Sequence, residues 1–392
     1  MVDQPPHRAS VVEFDHVTKR YDMAAKGGSG RPTTPGAVND LRLLVPAGKI
    51  CVLVGPSGCG KTTSLKMVNR LIEPTSGRIL IDGVDAATRD VTELRRGIGY
   101  VIQHVGLFPH LTVGENVATV PRLLGWQKAR QSARSDELLD LVGLPAGAYR
   151  NRYPSQLSGG ERQRVGVARA LAVDPPLMLM DEPFGAVDPI VRDRLQNEFL
   201  RLQGELAKTI LFVTHDVDEA IKMGDLVAVL QDGGRLAQFG TPTEILSSPA
   251  SDFVARFVGV DRGLKRLSLA RVRDMPLRPA PMVRDGSPAA EARSHLVDAA
   301  PPYLLVVDGR DRPIGWLAAP DLPPEGSIDG SRAVSASPLL DPETTLRDAL
   351  SMLLAAAVQA GIAVDREGRV LGLVTADDIG ARMRAPIDPD DR

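Results

Sequence analysis

Residues 55–63 read Gly55-Pro56-Ser57-Gly58-Cys59-Gly60-Lys61-Thr62-Thr63, a glycine-rich stretch that ends on a lysine and two hydroxyls. Three glycines let a backbone wrap closely around an anion, with N–H groups turned inward at what would be the start of a helix. Lys61 would bring a point charge to the outer phosphates of a nucleotide, and the Thr62 hydroxyl is suited to ligate magnesium. Farther along, Met180-Asp181-Glu182-Pro183 closes an apolar run with two adjacent carboxylates. Asp181 would hold magnesium through its water shell. Glu182 is placed to be the general base that polarises an attacking water, a role worth ~10²–10⁴ in rate. Alone, these two acids would read as a solvated turn; the upstream loop reverses that reading.

A second anion site follows from Leu157-Ser158-Gly159-Gly160-Glu161, which opens a helical run to Leu171. Ser158, Gly159, Gly160 and Glu161 at a helix start suit a γ-phosphate. Two phosphate sites with one nucleotide pocket imply a pair of copies, each Ser158 turn closing on the ATP held by the other. His215, in Val213-Thr214-His215-Asp216, is placed to touch the γ-phosphate and sense its loss. Gln103, after Ile98-Gly99-Tyr100-Val101-Ile102, would complete the magnesium shell and report nucleotide state to a neighbouring surface. Asp188 is expected near the dimer axis. Tyr21 is a candidate for stacking on adenine, with Tyr153 as the alternative. Cys59 reads as filler within the loop rather than a redox switch. The catalytic set is thus Lys61, Gln103, Glu182 and His215, with Thr62, Gln103 and Asp181 toward the metal; the loop Gly55 to Thr63, with Asp188 and His215, completes the nucleotide contacts.

These residues need rigid elements to hold them. Ile50 to Val54 is a short apolar run ending at Gly55, and Thr62 onward reads as a helix, so the loop lies in a strand–loop–helix context. Val11 to Tyr21 alternates like a half-buried strand. Pro176 to Met180 and Thr209 to Thr214 read as buried strands, with helical patterns from about 104 to 165. Strands alternating with helices imply a mostly parallel sheet with an inserted helical subdomain.

The chain has 392 residues, enough for two or three domains, and a formal net charge of −2, which argues against a protein built mainly to hold nucleic acid. Its two cysteines, Cys51 and Cys59, have no metal-ligand spacing and fit a reducing compartment. Residues 1–10 are expected to be a disordered polar tail without the apolar core of a signal peptide. No stretch reaches the ~20 apolar residues that span a bilayer. Any transport would therefore need separate membrane subunits. Residues 24–36 form a Gly/Pro/Ser-rich loop.

The last third repeats itself. Leu304-Leu305-Val306-Val307-Asp308 through Gly315-Trp316-Leu317 to Asp321 parallels Gly361-Ile362-Ala363-Val364-Asp365 through Gly372-Leu373-Val374 to Asp378, at an offset of 57 residues. A strand–turn–strand–helix unit repeated twice suggests a pseudo-symmetric module.

The ordered set resembles the ATP-binding subunits of ABC importers: Walker A at 55–62, Q-loop at Gln103, signature at 157–161, Walker B at Asp181 and Glu182, D-loop at Asp188, switch His215. A closer resemblance is to the glycine betaine/carnitine/choline, or osmoprotectant, uptake group. Lys66 to Pro74, Gly106 to His110, Val120 to Trp126, Arg152-Tyr153-Pro154 and Phe253 to Gly259 carry it. The resemblance implies a RecA-like α/β P-loop core with an antiparallel β edge and a helical subdomain, then an α+β tandem CBS module. Expected boundaries are an ATPase domain at 11–245, a connector at 246–262, the CBS pair at 263–384 and an acidic tail at 385–392. It further implies an ATPase using ATP and Mg²⁺, a homodimer peripheral to the cytoplasmic face of the inner membrane, and no nucleic acid. Its partners would be integral-membrane permease subunits and an extracytoplasmic solute-binding protein. The alternatives are an importer for another small polar solute, or a non-transport ABC ATPase acting on nucleic acid. The chain departs from the group in its 24–36 insertion after Tyr21, in Val187 where leucine is usual, and in Ala318 where the second repeat has Thr375. Thr375 and Asp378 are the positions where CBS modules often hold an adenine nucleotide.

Overall fold

The computed structural model describes residues 9–21, 37–103, 106–185, 187–296 and 303–384. The 24–36 loop, most of the N-terminal tail and the acidic tail lie outside the described residues. The chain forms two compact units, one up to Val258 and one from Gly259.

In the first unit, β1 (Val12–Lys19), β2 (Val38–Val45), β4 (Ser76–Ile81) and β5 (Val84–Asp85) form an antiparallel sheet in the order β2-β1-β4-β5. A six-stranded sheet runs β10-β9-β3-β8-β7-β6, from β3 (Ile50–Val54), β6 (Ile98–Val101), β7 (Leu177–Asp181), β8 (Thr209–Val213), β9 (Leu226–Gln231) and β10 (Arg235–Gly240). All its pairings are parallel except β10 with β9. β3, β7 and β8 are buried along their whole length, as central parallel strands covered on both faces must be. Alternate residues serve different cores: Val52, Met178, Met180 and Phe212 face one cluster, while Cys51, Leu53, Leu179 and Leu211 face the other.

Helices fill the connections. α1 (Lys61–Val68) follows β3 and α2 (Val91–Arg96) precedes β6. Between β6 and β7 lie α3 (Val113–Val117), α4 (Thr119–Leu123), α5 (Lys128–Leu141), α6 (Ala146–Tyr149) and α7 (Gly159–Leu171). α8 (Pro189–Leu206) and α9 (Val217–Met223) flank β8, and α10 (Pro242–Ser247) and α11 (Asp252–Val258) close the unit. The sequence reading places 246–262 in a connector, whereas the first unit runs to Val258. Instead Val254 and Val258 are buried in the first unit's core, and Phe253 stacks on Phe257 with ring centroids 6.0 Å apart. Apolar residues at four-residue spacing give α11 a stripe to bury rather than a linker's polar surface.

The second unit begins with α12 (Arg262–Leu267) and contains two sheets, β11-β12-β13-β14 and β15-β16-β17. The strands are β11 (Met282–Arg284), β12 (Tyr303–Val307), β13 (Pro313–Ala318), β14 (Val334–Ser335), β15 (Leu339–Leu340), β16 (Ala360–Val364) and β17 (Val370–Thr375). The repeat seen in the sequence holds to the level of register. Leu305 faces Trp316 and Ile362 faces Leu373; the same bulge follows Val306/Gly315 and Ala363/Gly372. α13 (Ala289–Leu296) and α14 (Leu346–Ala355) also correspond. The copies part after their last strands. In the second, Thr375 starts α15 (Ala376–Arg384); in the first, Ala318 offers no capping side chain and a single 3₁₀ turn, Ala319–Asp321, ends there. Pro323 and Pro324 then bar any continuation.

Candidate functional site

The phosphate loop leaves the C-terminal end of β3 and enters α1 at Gly60, whose φ of +96° favours glycine. A Cβ there would meet the Ala37 carbonyl oxygen at 2.1 Å, so the residue is excluded from growing by space as well as by angle. Pro56, Ser57, Gly58 and Cys59 arch between Gly55 and this point, and the Cys59 N–H closes the arch on the Pro56 oxygen at 3.3 Å. Lys61, only 7% exposed, turns back and donates its ammonium to the carbonyl oxygens of Gly55 (2.7 Å) and Pro56 (2.9 Å). Thr62 and Thr63 lie in the first turn of α1. Burial pushes the Cys59 thiol up, with Lys61 partly offsetting it.

β7 delivers the carboxylates one strand beyond β8. The Thr62 hydroxyl donates to Asp181 Oδ1 at 2.8 Å, across 119 residues of sequence. Burial pushes the Asp181 carboxyl up, while Thr62 and then Lys66 pull it back. Glu182 follows with φ +47°, a left-handed conformation that costs about 1–3 kcal/mol outside glycine. Its N–H holds the Val213 oxygen at 2.9 Å, which fixes the strained turn to β8. The carboxylate is claimed from two sides: Gln103 Nε2 donates to Oε2 at 3.0 Å, and His215 Nδ1 lies 3.2 Å from Oε1. Thus Gln103, Thr62, Asp181, Glu182 and His215, spread over more than 100 residues, meet at one end of the sheet.

The Ser158 turn belongs to the helical subdomain. Ser158 caps α7, accepting the Glu161 N–H at 3.3 Å, while Glu161 Oε2 accepts the Ser158 N–H at 2.7 Å. Tyr149 donates to the other Glu161 oxygen at 2.8 Å. Both Glu161 oxygens are therefore used inside the turn, and its carboxyl sits below the usual glutamate range because of the Ser158 backbone hydrogen bond and then Tyr149. Gly159 and Gly160 form the first turn beside it. Asp188 caps α8, accepting from Ile190 and Val191 N–H groups. Tyr21, 53% exposed, lies just past β1 with the Lys19 ammonium 5.3 Å from its ring centroid. Lys19 pairs with Val38, which crowds Gly60, so the end of β1 runs beside the phosphate loop. Tyr153 lies instead on the segment leading to Ser158.

Several residues at the site carry no sequence motif. Tyr100 on β6 is pushed up to about 12 by burial and by Asp181. Gln163, buried in α7, places its amide 3.5 Å from the Glu182 carbonyl oxygen. Glu219 and Gln196 pair at 2.9 Å in the interior. A polar residue at a core-facing helical position was the available signal for Gln163 and Glu219.

A family profile described as ABC transporter matches residues 38–185, and one described as CBS domain matches 334–383. An osmoprotectant import ATP-binding protein, OsmV of Salmonella typhimurium, is 44% identical over 370 residues, 94% of this chain and 95% of that protein. The chain belongs to the ATP-binding subunits of osmoprotectant ABC importers. The carnitine transport ATP-binding protein OpuCA of Listeria monocytogenes is 43% identical, covering 93% of this chain and 90% of its own. Among solved structures, the ATP-binding cassette MJ0796, a dimer in a post-hydrolysis state bound to ADP and Pi, aligns with a TM-score of 0.52 and 32% identity over 59% of this chain and 98% of that one. ATP is accordingly the nucleotide of this ABC subunit, and ATP hydrolysis its reaction. The subunit is membrane-associated through its importer, and no helix among the described residues is long and apolar enough to cross a membrane. The donor set fits magnesium: one hydroxyl and one carboxylate, hard oxygens 2.8 Å apart, with the amide of Gln103 nearby on Glu182.

Proposed function

We propose that this subunit pairs with a second copy and hydrolyses ATP at two shared sites, powering uptake of a quaternary-amine solute of the glycine betaine, carnitine, choline or proline betaine type. The observation that carries the reading is the convergence of Gln103 and His215 on the Glu182 carboxylate, beside the Thr62–Asp181 pair. Thr62 and Asp181 would hold magnesium, whose charge neutralises the phosphates. In-line phosphoryl transfer asks mainly for positioning and charge neutralisation. Lys61 supplies a cation to the β- and γ-phosphates, and Glu182 takes the proton of the attacking water. His215 reads the γ-phosphate while keeping Glu182 oriented. Ser158, whose hydroxyl accepts the Glu161 N–H and donates to no group among the described residues, closes on the nucleotide of the other copy, and Asp188 and its neighbours meet at the axis. The dimer named for MJ0796 supports the pairing.

The solute class rests on the names of the relatives, which are import, transport or uptake proteins for osmoprotectants, carnitine and glycine betaine. The permease partners, the extracytoplasmic binding protein and a location at the cytoplasmic face of the membrane follow from the same reading. Thr375 and Asp378 of the second CBS copy take an adenine nucleotide in this proposal, and entry requires Arg278 to release Asp378. The test is uptake of labelled glycine betaine, carnitine and choline by the reconstituted complex with ATP on the subunit's side. Glu182→Gln should bind ATP, trap the closed pair and abolish uptake. Uptake of no quaternary amine, or ATPase activity stimulated by DNA or RNA instead, would sink the proposal.

A further inference from the structure

Beneath the Glu182–His215 pair lies a small cavity of about 50 Å³, lined by Glu182, His215, Thr214, Arg192 and Glu219 among others. It is large enough for ordered water and polar enough to hold it. Glu219 is the most buried of its acids. It stands in α9 and is only 8% exposed, and no step of the hydrolysis assigns it a task.

Its connections run in two directions. Toward the switch, Thr214 lines the same cavity and draws the Glu219 carboxyl down, and its hydroxyl accepts the Asp216 N–H at 3.0 Å. Thr214 is itself buried, and its N–H is held by the Leu53 oxygen at 3.2 Å. His215 is therefore flanked by Thr214, which shares the cavity with the Glu219 carboxylate, and by Asp216, whose Oδ1 accepts the Asp218 and Glu219 N–H groups at 2.8 and 3.2 Å. Toward α8, Gln196 Nε2 donates to Glu219 Oε1 at 2.9 Å, and both side chains are buried. Asp188 caps α8, and near that start Arg192, which lines the same cavity, donates to the Val187 oxygen at 2.9 Å, while its buried Nε has no acceptor among the described residues. Burial pushes the Glu219 carboxyl up, and the nearby Thr214 hydroxyl and the Gln196 hydrogen bond counter it. A packed apolar side chain would avoid that desolvation, so holding α9 in place does not by itself account for an acid here.

We propose that Glu219 is a positioning residue for hydrolysis: through Thr214 it sets the turn that aims His215 at Glu182, and through Gln196 it makes that aim depend on the α8 helix that follows the D-loop. The inference rests on the hydrolytic reading given above. A misaimed His215 leaves the Glu182 carboxylate held on one side only, by Gln103, while the phosphate loop, on the other side of β8, stays intact.

The test is steady-state ATPase of the purified full-length chain, with nucleotide affinity and thermal midpoint measured alongside. Glu219→Ala should lower kcat about 10- to 100-fold with KM for Mg-ATP within about twofold, because the loss is one of orientation. Glu219→Gln, which keeps an acceptor oxygen, should recover much of it. Combining Glu219→Gln with Gln196→Glu restores a reversed pair and should recover more than either single change predicts. Thr214→Val should copy Glu219→Ala, while Thr214→Ser should be close to the parent. Unchanged kcat in Glu219→Ala and Thr214→Val would overturn the proposal, as would kcat falling only in step with a lowered thermal midpoint and weakened ATP binding. Should Glu219→Ala not fold, the Thr214 pair decides alone. Glu182→Gln is the control: if it turns over normally the hydrolytic reading fails, whereas an inactive Glu182→Gln beside a fully active Thr214→Val removes only the role of Glu219.

Discussion

Each unit of the molecule contains a threonine hydroxyl bonded to an aspartate, and the two pairs are built for opposite ends. Thr62 and Asp181 come from elements 119 residues apart and meet at 2.8 Å only because β3 and β7 flank β8 in one sheet. Asp181 lies among Lys61 and Lys66, neither of which forms an ion pair with it among the contacts described. Thr375 and Asp378 are three residues apart and meet at 2.6 Å as the capping box of α15. There the second oxygen is taken: Arg278 donates twice to Asp378 Oδ1, and its backbone exchanges hydrogen bonds with Leu373. A distant pair held by a sheet is available to a visitor. A local pair closed by an arginine is already satisfied.

The sharpest way to break this contrast is at the first pair. Asp181→Asn and Glu182→Gln should each lower kcat by ~10²–10⁴ while leaving the fold intact, checked by single-turnover ATPase against the parent. Full activity in either would put the two pairs on the same footing. Next comes Gly60→Ala, which forces a Cβ to 2.1 Å from a carbonyl oxygen at φ +96°. It should abolish ATP binding and lower stability by about 1–3 kcal/mol, read by nucleotide titration and denaturant midpoint.

At the second pair, Arg278→Ala should cost little stability at neutral pH, because the guanidinium is half exposed. Burial tends to raise the Asp378 carboxyl, but the Arg278 and Thr375 hydrogen bonds outweigh it and hold it below the usual aspartate range. A depressed folded value gives stability that is present above the ordinary aspartate pKa and lost as pH falls through the folded one. Arg278→Ala should therefore flatten the acid limb of the stability–pH curve below about pH 4. If an adenine nucleotide uses this turn, the same variant should bind AMP or ATP more tightly in calorimetry of the full chain. The smallest effect is expected from removing residues 259–392. The first unit has its own core, so basal ATPase should stay within about twofold. Any loss of a salt-dependent response in transport would then belong to the second unit, whose exposed charges are screened over ~10 Å at 0.1 M and ~3 Å at 1 M.

The chemistry was legible where it is local. The phosphate loop, the Ser158 turn and the Asp181–Glu182 corner are written in consecutive residues, because a strand end, a glycine arch and a helix start are short-range structures. The repeat was legible for a similar reason: identical register demands identical spacing of apolar positions and turn aspartates, and Asp308 and Asp365 make the same bonds to Arg312 and Arg369. What stayed hidden are contacts between distant segments that obey no period. Arg278 reaches Asp378 across 100 residues, and Gln196 reaches Glu219 across 23, from positions that in sequence look like solvated charge and amide. The end of the first unit was misplaced because α11 spans only seven residues, too few for its stripe to stand out.

The ammonium of Lys61 rests on two backbone oxygens of its own loop. Most of the expense of stripping water from that cation is thus met when the chain folds. With Lys61 in the role proposed above, an arriving triphosphate would have only to replace one set of oxygens by another around a charge that is already dry. The loop's arch is held by Lys61 itself, so in that role nucleotide capture would be an exchange of ligands rather than the assembly of a pocket.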